Sequence, residues 1–406
     1  MWQVPIGFIY CIFFIDLATA FFFLVAFLKS RFGIEKFFEA KNYEVTFVLP
    51  AYNLGNLLER TIKSLRNSDY PKEKIRIIIV DDASQDNTFE IAKQLSKKYS
   101  GVEAYTKKHG GKAEAVNFGI KKAKTEFIVV LDADTLVKKD LLKKAMARFS
   151  DPAIAAVTCR LKFSNNQNFI GRMQDVEYTF TGFYRMIMGR LSSLPVTPAF
   201  TIFRREFFLK HGYFDSNNIT EDFEMGLRIQ SKHYNIGFVS DSYALTEGPS
   251  TLKSFIRQRL RWGYGTIKNC INYKRLFFNK KYGDLGVFIM PVWFIGMLLV
   301  SFMFLLGVYS AIYQIVHFIN LFLVGWRPEF SFDSQQFIFL LTDLRIMLFI
   351  LSILLGLTIY FIVRSELKSD IKLKDYILFL AIYLWVLAFT SVISFGYFLA
   401  RKKPNW

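Results

Sequence analysis

The pattern of apolar and polar residues divides the middle of the chain into short strands and helices. Runs dominated by β-branched and aromatic residues at positions 45–49, 75–80, 102–105 and 127–131 predict four strands. Between them, Leu57, Leu58, Ile62 and Leu65 recur at helical spacing, and two further helices are predicted at Thr88–Lys98 and residues 113–122. Strands that alternate with helices predict an α/β fold with a mainly parallel, doubly wound sheet. In such a sheet, ligands bind beyond the carboxyl ends of the strands.

The pattern is less regular from about residue 150 onward. It predicts strands at residues 154–161 and 199–203, separated by a long helix at residues 169–191. A further helix begins near Thr220, which has the side chain of an N-cap. Glu221 and Asp222 fall in its first turn, where acidic residues interact favourably with the helix dipole.

The segment 255–265 is basic, aromatic and amphipathic, which is typical of a helix lying along a membrane surface. In the simplest interpretation, Arg257, Arg259 and Arg261 contact only lipid phosphates and Trp262 lies at the level of the headgroups.

Long apolar stretches predict membrane spans near both ends of the chain. Residues 4–28 have spanning length and contain Asp16, a costly carboxylate at mid-membrane that we interpret as a candidate pathway residue. Lys29, Arg31 and Lys36 follow, so the positive-inside rule places residue 30 onward in the cytoplasm. Residues 285–326 predict either one span with an interfacial piece or a tight hairpin, and residues 337–363 and 376–400 predict two further spans. We therefore expect four or five spans, with the basic stretches 364–374 and 401–403 on opposite sides of the membrane.

Composition agrees with a membrane protein that handles anions. Of the 406 residues 52% are hydrophobic, and the formal charge is +18. Nucleic-acid binding is not expected, because the chain has no zinc-finger, helix-turn-helix or RNA-recognition signature. A cytoplasmic face that contacts anionic membrane lipids and binds an anionic nucleotide explains the charge better. The three cysteines, Cys11, Cys159 and Cys270, lack the spacing of a metal site and indicate a reducing compartment.

Polar residues follow three of the predicted strands. They are Tyr52 and Asn53 after the first strand, Asp81 and Asp82 after the second, and Asp132 and Asp134 after the fourth. Two carboxylates in this arrangement are suited to Mg²⁺ or Mn²⁺ carrying phosphate oxygens. Gly110, Gly111 and Lys112 precede a helix, and we expect free backbone amides and a cation there to bind a diphosphate. The joint placement predicts a nucleotide-diphosphate site.

Four motifs occur in a fixed order between the N-terminal and C-terminal apolar segments. They are Asp81-Asp82, Asp132-Ala-Asp134, Thr220-Glu-Asp222 (TED) and Gln258-Arg-Leu-Arg-Trp262 (QxxRW). This set resembles the membrane-embedded family-2 inverting glycosyltransferases of the processive polysaccharide synthase type, such as cellulose, chitin, hyaluronan and poly-N-acetylglucosamine synthases. The resemblance covers residues 44–265 by motif. Where these synthases have Gly-Lys-Ala-Gly, this chain has Gly111-Lys-Ala-Glu114, which puts an acid near the expected phosphate.

The resemblance implies a role for each motif residue. Asp82, Tyr52 and Asn53 would bind the uridine part of a UDP-sugar and Lys112 its diphosphate. Asp134, with Asp132 beside it, would hold Mg²⁺ or Mn²⁺ and the donor sugar. Asp222 would be the general base. Glu221, Gln258, Arg261 and Trp262 would form the acceptor and diphosphate region, with Trp262 stacking on the acceptor sugar.

The resemblance also implies the domain organisation and the activity. It predicts an anchor at residues 1–30, a cytoplasmic GT-A glycosyltransferase domain at 40–250, amphipathic helices at 251–283 and membrane spans at 284–406. The expected reaction adds sugars from a UDP-sugar to a growing polysaccharide, which passes through the protein's own spans. The alternative is transfer of one sugar to a lipid carrier or glycolipid, and a further alternative is a membrane component without catalytic activity.

Overall fold

A computed structural model of the protein describes residues 21–22, 24–28, 41–55, 57–164, 167–191, 193–194, 199–326 and 344–404. Of the predicted N-terminal anchor, residues 21–22 and 24–28 are helical, whereas Asp16 lies outside the described residues. The described part contains one eight-stranded sheet with helices on both faces, followed by long apolar helices.

The sheet confirms the predicted α/β fold class and adds detail to it. Its strands are β1 (Val45–Ala51), β2 (Ile75–Asp81), β3 (Val102–Thr106), β4 (Phe127–Leu131), β5 (Leu136–Val137), β6 (Ile154–Phe163), β7 (Phe200–Arg204) and β8 (Asn235–Thr246). Their order is β3-β2-β1-β4-β7-β6-β8-β5. The half formed by β3, β2, β1 and β4 is parallel, as predicted. The other half is mixed, because β7 runs antiparallel to both β4 and β6, and β5 runs antiparallel to β8.

Twelve α-helices follow β1 within the described residues. They are α1 (Leu57–Arg66), α2 (Thr88–Lys98), α3 (Lys112–Lys122), α4 (Leu141–Ala147), α5 (Phe169–Arg190), α6 (Arg205–His211), α7 (Glu221–Ser231), α8 (Leu252–Asn272), α9 (Met290–Leu323), α10 (Leu344–Glu366), α11 (Leu373–Leu378) and α12 (Leu384–Leu399). A π-helical turn, Leu285–Ile289, precedes α9, and another, Phe379–Tyr383, joins α11 to α12.

The alternation of side chains along β1 explains why both faces of the sheet are covered. Phe47 and Leu49 pack in a buried cluster with residues of α1 and α2, whereas Val48 packs in a second cluster with residues of α3 and α5. All three side chains are fully buried. The sheet is therefore a doubly covered layer, and its open edge at the carboxyl ends of the parallel strands is free to form a site.

Three helices in the C-terminal region are long and apolar enough to cross a membrane, among the residues described. They are Leu285–Leu323, Ile346–Glu366 and Leu373–Leu399. The first is one continuous helix of 39 residues, so the tight hairpin that the sequence left open is not formed. At about 1.5 Å per residue, this helix is longer than a hydrocarbon core of about 30 Å requires.

The predicted separation of the two basic stretches is wrong. The backbone carbonyl of Leu367, in the first stretch, accepts a hydrogen bond of 2.7 Å from the Arg160 guanidinium, and Asp375, just after that stretch, pairs with Arg172 at 3.2 Å. Lys403, in the second stretch, lines a cavity together with Lys112 and Glu221. Both ends of Leu373–Leu399 therefore contact the sheet-containing region, because this segment packs along α8. The sequence prediction treated it as an isolated span and took no account of this partner.

Candidate active site

Polar residues from three strand ends meet in one cavity of about 330 Å³, which we call the acidic cavity. Its wall includes Tyr52, Asp82, His109, Lys112, Asp132 and Asp134. The parallel register brings them together, because Ala51 of β1 lies beside Asp81 of β2, and β4 pairs with β1 on the other side. The predicted convergence of these side chains is thus present in the structure.

Asp82 organises the loop that we expected to offer free amides. Its carboxylate accepts hydrogen bonds from the backbone N–H groups of Gly110 at 3.0 Å and Gly111 at 2.7 Å. It also accepts one from the Lys107 ammonium at 3.0 Å. The prediction of free amides for a diphosphate is therefore wrong for these two glycines, since a buried carboxylate occupies their donors. Lys112 remains as the cation at the start of α3.

The acid at position 114 has a partner outside the predicted phosphate site. Glu114 pairs with Lys107 at 3.3 Å, on the same loop that Asp82 holds. The departure from the Gly-Lys-Ala-Gly pattern therefore strengthens the loop. Asp81 is buried and accepts a hydrogen bond of 2.9 Å from the Thr106 hydroxyl, which indicates a structural role.

Tyr52 and Asn53 differ in how they meet the cavity. Tyr52 is exposed, and its ring lies 5.1 Å from the ring of His109, so the two form an aromatic wall at the cavity. Asn53 has a left-handed backbone with φ 51°, and its side chain accepts a hydrogen bond of 2.8 Å from the N–H of Gln85. Among the described residues, the Asn53 side chain therefore fixes the turn.

Asp132 and Asp134 follow β4, and the residues present fit a divalent cation. Burial raises the pKa of Asp134, and the neighbouring Asp132 raises it further, so a bound cation would relieve the repulsion between the two. The buried Oδ1 atom of Asp132 is paired with Lys112 by charge but lacks a hydrogen bond of good geometry. In the part of the chain described, no group of three or more His, Cys, Asp or Glu side chains is arranged as a metal site. Two carboxylates suit a cation whose other ligands are substrate phosphates and water.

A second cavity of about 570 Å³ adjoins the first, and we call it the basic cavity. It contains Glu221, Gln258 and Arg261 from the TED and QxxRW motifs, together with Lys112 and Gly111, which also line the acidic cavity. Among the described residues, its wall carries the cations Lys112, Arg257, Arg261 and Lys403 against the carboxylate of Glu221. The sequence did not predict Lys403 as a site residue. It follows the last apolar segment, and no local pattern indicates that it lies close to the start of α3.

The two TED carboxylates hold protons more tightly than ordinary carboxylates. Burial raises the pKa of both Glu221 and Asp222, and the charge of Asp222 raises that of Glu221 further. Lys112 and Arg261 act in the opposite direction on both groups, without cancelling the effect of burial. The same carboxylates and Asp132 keep Lys112 charged, because they raise its pKa against the effect of burial. A carboxylate with a raised pKa beside a cation is suited to general-base chemistry.

A buried network fixes the TED loop to α8. Thr220 stands at the N-cap position of α7 but makes no side-chain cap; its hydroxyl accepts a hydrogen bond of 3.0 Å from Asn269. Asn218 donates to Asn269 at 2.7 Å, and its own oxygen accepts from the N–H of Thr220 at 3.1 Å. Gly265 faces Thr220 so closely that an added Cβ would overlap its side chain. Asn269 was missed by sequence reasoning, because its partners lie about fifty residues away.

Arg259 is buried rather than facing lipid, so the lipid-phosphate interpretation is wrong for this arginine. It pairs with both carboxylate oxygens of Glu177, at 2.9 and 2.7 Å. Its guanidinium carbon lies 4.4 Å from the centroid of the Trp262 ring. Trp262 is thus in contact with a fixed cation on its own helix, next to Arg261 of the basic cavity.

Comparison with known proteins identifies the family of the sheet-containing domain. Residues 46–212 match the family described as Glycosyl transferase family 2. The chain contains a family 2 glycosyl transferase domain. The match confirms the family that the order of motifs predicted.

Relatives with curated functions extend the similarity beyond that domain. The chain is 30% identical over 226 residues to the poly-beta-1,6-N-acetyl-D-glucosamine synthase of Staphylococcus aureus, and 29% identical over 224 residues to that of Staphylococcus epidermidis. Each alignment covers 54% of this chain and 54% of the relative, so the chain spans about half the length of the curated relatives it matches.

A solved structure shares the fold over nearly the whole chain. It is a mannosyltransferase from Pyrobaculum calidifontis, solved in complex with GDP-Man and Mn²⁺, with a TM-score of 0.59 and 16% identity. The superposition covers 93% of this chain and 95% of the mannosyltransferase. At this identity the similarity establishes the GT-A-like fold and does not extend to the substrates.

Proposed function

We propose that the protein is an inverting glycosyltransferase that adds sugars from a UDP-sugar to a growing polysaccharide at the cytoplasmic membrane face. The observation that supports this most directly is the adjacency of the two cavities. Lys112 and Gly111 line both, so a donor in the acidic cavity and an acceptor in the basic cavity would meet at a shared wall. The synthase activity of the staphylococcal relatives supports a polysaccharide product.

In the proposed reaction, Asp222 removes the proton from an acceptor hydroxyl as the hydroxyl oxygen attacks the anomeric carbon of the donor sugar. The bond from that carbon to the nucleoside diphosphate breaks in the same displacement, which inverts the configuration. General-base assistance of this kind contributes about 10²–10⁴-fold. Lys112 and Arg261 stabilise the negative charge of the departing diphosphate, because cationic donors interact strongly with phosphate.

Mg²⁺ or Mn²⁺ held by Asp132 and Asp134 would supply further positive charge to the diphosphate. The Mn²⁺ bound in the mannosyltransferase of the same fold supports a divalent cation here. Tyr52 and His109 form an aromatic wall suited to a nucleobase, whereas Asp82 and Asn53 act by shaping the loops around it. The candidate spans support an integral membrane protein. The position of Lys403 supports a C-terminal tail on the same, cytoplasmic side as the catalytic domain, which requires an even number of membrane crossings between the two.

A second candidate is the transfer of a single sugar to a phosphate-bearing lipid carrier. Arg257, Arg261 and Lys403 favour it, because these cations of the basic cavity suit an acceptor phosphate as well as a leaving diphosphate.

One experiment separates the two candidates. The purified full-length protein is incubated in lipid nanodiscs with Mn²⁺ and a panel of UDP-sugars and GDP-mannose, with and without a polyprenyl phosphate. A polymer ladder formed from UDP-N-acetylglucosamine in the absence of polyprenyl phosphate supports the first candidate. A single product that forms only when polyprenyl phosphate is present supports the second. Consumption of none of the donors in either condition would contradict both.

A further inference from the structure

Three side chains from separate parts of the chain form a closed triangle of hydrogen bonds. The Arg259 guanidinium of α8 donates to both oxygens of Glu177 on α5, at 2.9 and 2.7 Å. The Tyr383 hydroxyl, next to α12, donates to Glu177 at 2.6 Å and accepts from Arg259 at 3.1 Å. The triangle therefore joins the QxxRW helix, a helix that covers the sheet, and the last apolar segment.

The guanidinium is also in contact with two aromatic rings of its own helix. Its carbon lies 4.7 Å from the ring centroid of Phe255 and 4.4 Å from that of Trp262. These residues are four positions before and three positions after Arg259, which places all three on one face of the helix. Phe255 in turn contacts the Tyr383 ring, at a centroid distance of 5.2 Å. The side of the Trp262 indole that faces Arg259 is thus covered by a fixed, planar cation.

Burying a charged arginine is costly unless it is paired. The triangle pairs both terminal nitrogens of the Arg259 guanidinium, whereas its Nε has no hydrogen-bond partner among the described residues. The side chains of Arg259 and Glu177 are only 7% and 17% exposed. Burial lowers the pKa of Arg259, but Glu177 and the neighbouring tyrosines outweigh it, so the arginine stays charged. A charged pair held in two-point geometry fixes the guanidinium plane far better than a single contact would.

We propose that Arg259, Glu177 and Tyr383 are positioning residues that hold the Trp262 indole in the orientation needed to stack on the acceptor sugar. The inference rests on the proposed function, in which Trp262 belongs to the acceptor region. It assigns a task to the second residue of the QRLRW sequence and makes the last apolar segment part of the acceptor site. Lys112, Asp132 and Asp134 lie outside the triangle, so donor binding does not depend on it.

The test compares two tyrosines of the same apolar segment. Tyr383→Phe removes one hydroxyl from the triangle, whereas Tyr376→Phe removes a hydroxyl that donates to the Gly356 carbonyl at 3.0 Å. Apparent KM values are measured for UDP-N-acetylglucosamine and for a β-1,6-linked N-acetylglucosamine tetrasaccharide, on full-length protein in nanodiscs. We expect Tyr383→Phe to raise the acceptor KM roughly fivefold with the donor KM unchanged, since the variant loses a hydrogen bond to a charged carboxylate. Tyr376→Phe should change neither.

Arg259→Lys and Trp262→Ala complete the series. In Arg259→Lys the charge is kept, but the planar guanidinium that contacts both oxygens of Glu177 is lost. We therefore expect the acceptor KM of this variant to approach that of Trp262→Ala, with UDP affinity retained. Equal changes in both KM values, or a Tyr383→Phe variant indistinguishable from Tyr376→Phe, would overturn the proposal. So would a Trp262→Ala variant with the acceptor KM of the unaltered protein.

A binding measurement separates this proposal from the proposed function. If the unaltered protein consumes no nucleotide sugar, the proposed function fails, and binding of the same tetrasaccharide is measured directly in each variant. Weaker binding in Tyr383→Phe than in Tyr376→Phe then supports the positioning role, and equal binding, or none to any variant, rejects it.

Discussion

The ammonium of Lys112 is paired with the carboxylate of Asp132 at the boundary between the acidic and the basic cavity. Three carboxylates keep this lysine charged, and two of them, Glu221 and Asp222, belong to the TED motif. Lys112 is therefore the side chain through which the proposed metal ligands and the proposed base influence each other. An anion that enters either cavity competes for the same cation.

Replacement of Lys112 by methionine tests this role in nucleotide binding. We expect Lys112→Met to weaken UDP binding by about tenfold or more, because a charge-assisted contact to phosphate is lost. Lys108→Met, on the exposed part of the same loop, is the matched control and should leave the affinity unchanged. Isothermal titration calorimetry with UDP and Mn²⁺ measures both, and equal affinities in the two variants would contradict the assignment.

Asp222→Asn tests the general base. We expect sugar transfer to fall by about 10²–10⁴-fold, because asparagine cannot accept the acceptor proton. UDP affinity should remain close to that of the unaltered protein. Asp215→Asn, which changes an exposed acid seven residues before Asp222, is the control and should transfer normally. Substantial turnover by Asp222→Asn would remove Asp222 from the role of base.

The pH dependence of the reaction follows from the same pair of carboxylates. Their pKa values are raised, so the base becomes protonated, and activity falls, at a higher pH than an ordinary aspartate with a pKa of about 4 would give. Lys112 and Arg261 lower both pKa values, so Arg261→Met should move the acid limb of kcat/KM to still higher pH. Glu221→Gln should move it to lower pH, because a neighbouring negative charge is removed. An acid limb that is the same in all three proteins would exclude this pair as its origin.

Asp134→Asn tests the proposed metal site. We expect UDP affinity to lose its dependence on Mn²⁺, because one of two carboxylate ligands is removed. Asp151→Asn, which changes an exposed acid just before β6, serves as the control and should keep the dependence. Titration of UDP with and without Mn²⁺ gives the comparison without relying on turnover. Unchanged Mn²⁺ dependence in Asp134→Asn would show that the cation is held elsewhere.

The contact between Gly265 and Thr220 gives a prediction for stability as well as activity. A methyl group at Gly265 would overlap Thr220, so Gly265→Ala should displace the TED loop, at a cost of about 1–3 kcal/mol. Gly396→Ala is the control, because no atom within 4 Å would meet its added methyl group. The unfolding temperature in detergent and the transfer rate should both fall in Gly265→Ala and stay unchanged in Gly396→Ala. Equal behaviour of the two glycines would show that the TED loop tolerates the displacement.

Local patterns in the sequence predicted the parallel half of the sheet and the residues at its edge. β1, β2 and β4 are short, almost entirely buried strands, so their composition alone identifies them. β8 was missed, because Asn235, Ser240, Asp241 and Ser242 interrupt its apolar pattern. Its identity as a strand comes from its pairing with β6, which no local signal records.

The sequence did not predict which distant residues pair with each other. The backbone amides of Gly110 and Gly111 looked available for phosphate, but they donate hydrogen bonds to Asp82, which lies 28 and 29 positions away in the sequence. Arg259 looked like a lipid contact, but it is buried and pairs with Glu177 and Tyr383, which lie 82 and 124 positions away in the sequence. In both cases the residue type indicated what the side chain could bind, and the fold selected the partner.

Two glycines on α8 have a mechanical consequence. Gly263 lies against Ser394 of α12, and Gly265, on the opposite side of the same turn, lies against Thr220. The thickness of one helix backbone therefore separates the last apolar segment from the TED loop. Lateral pressure of acyl chains on Leu373–Leu399 would reach that loop through this one backbone. We therefore expect the transfer rate to vary with the length of the surrounding lipid tails.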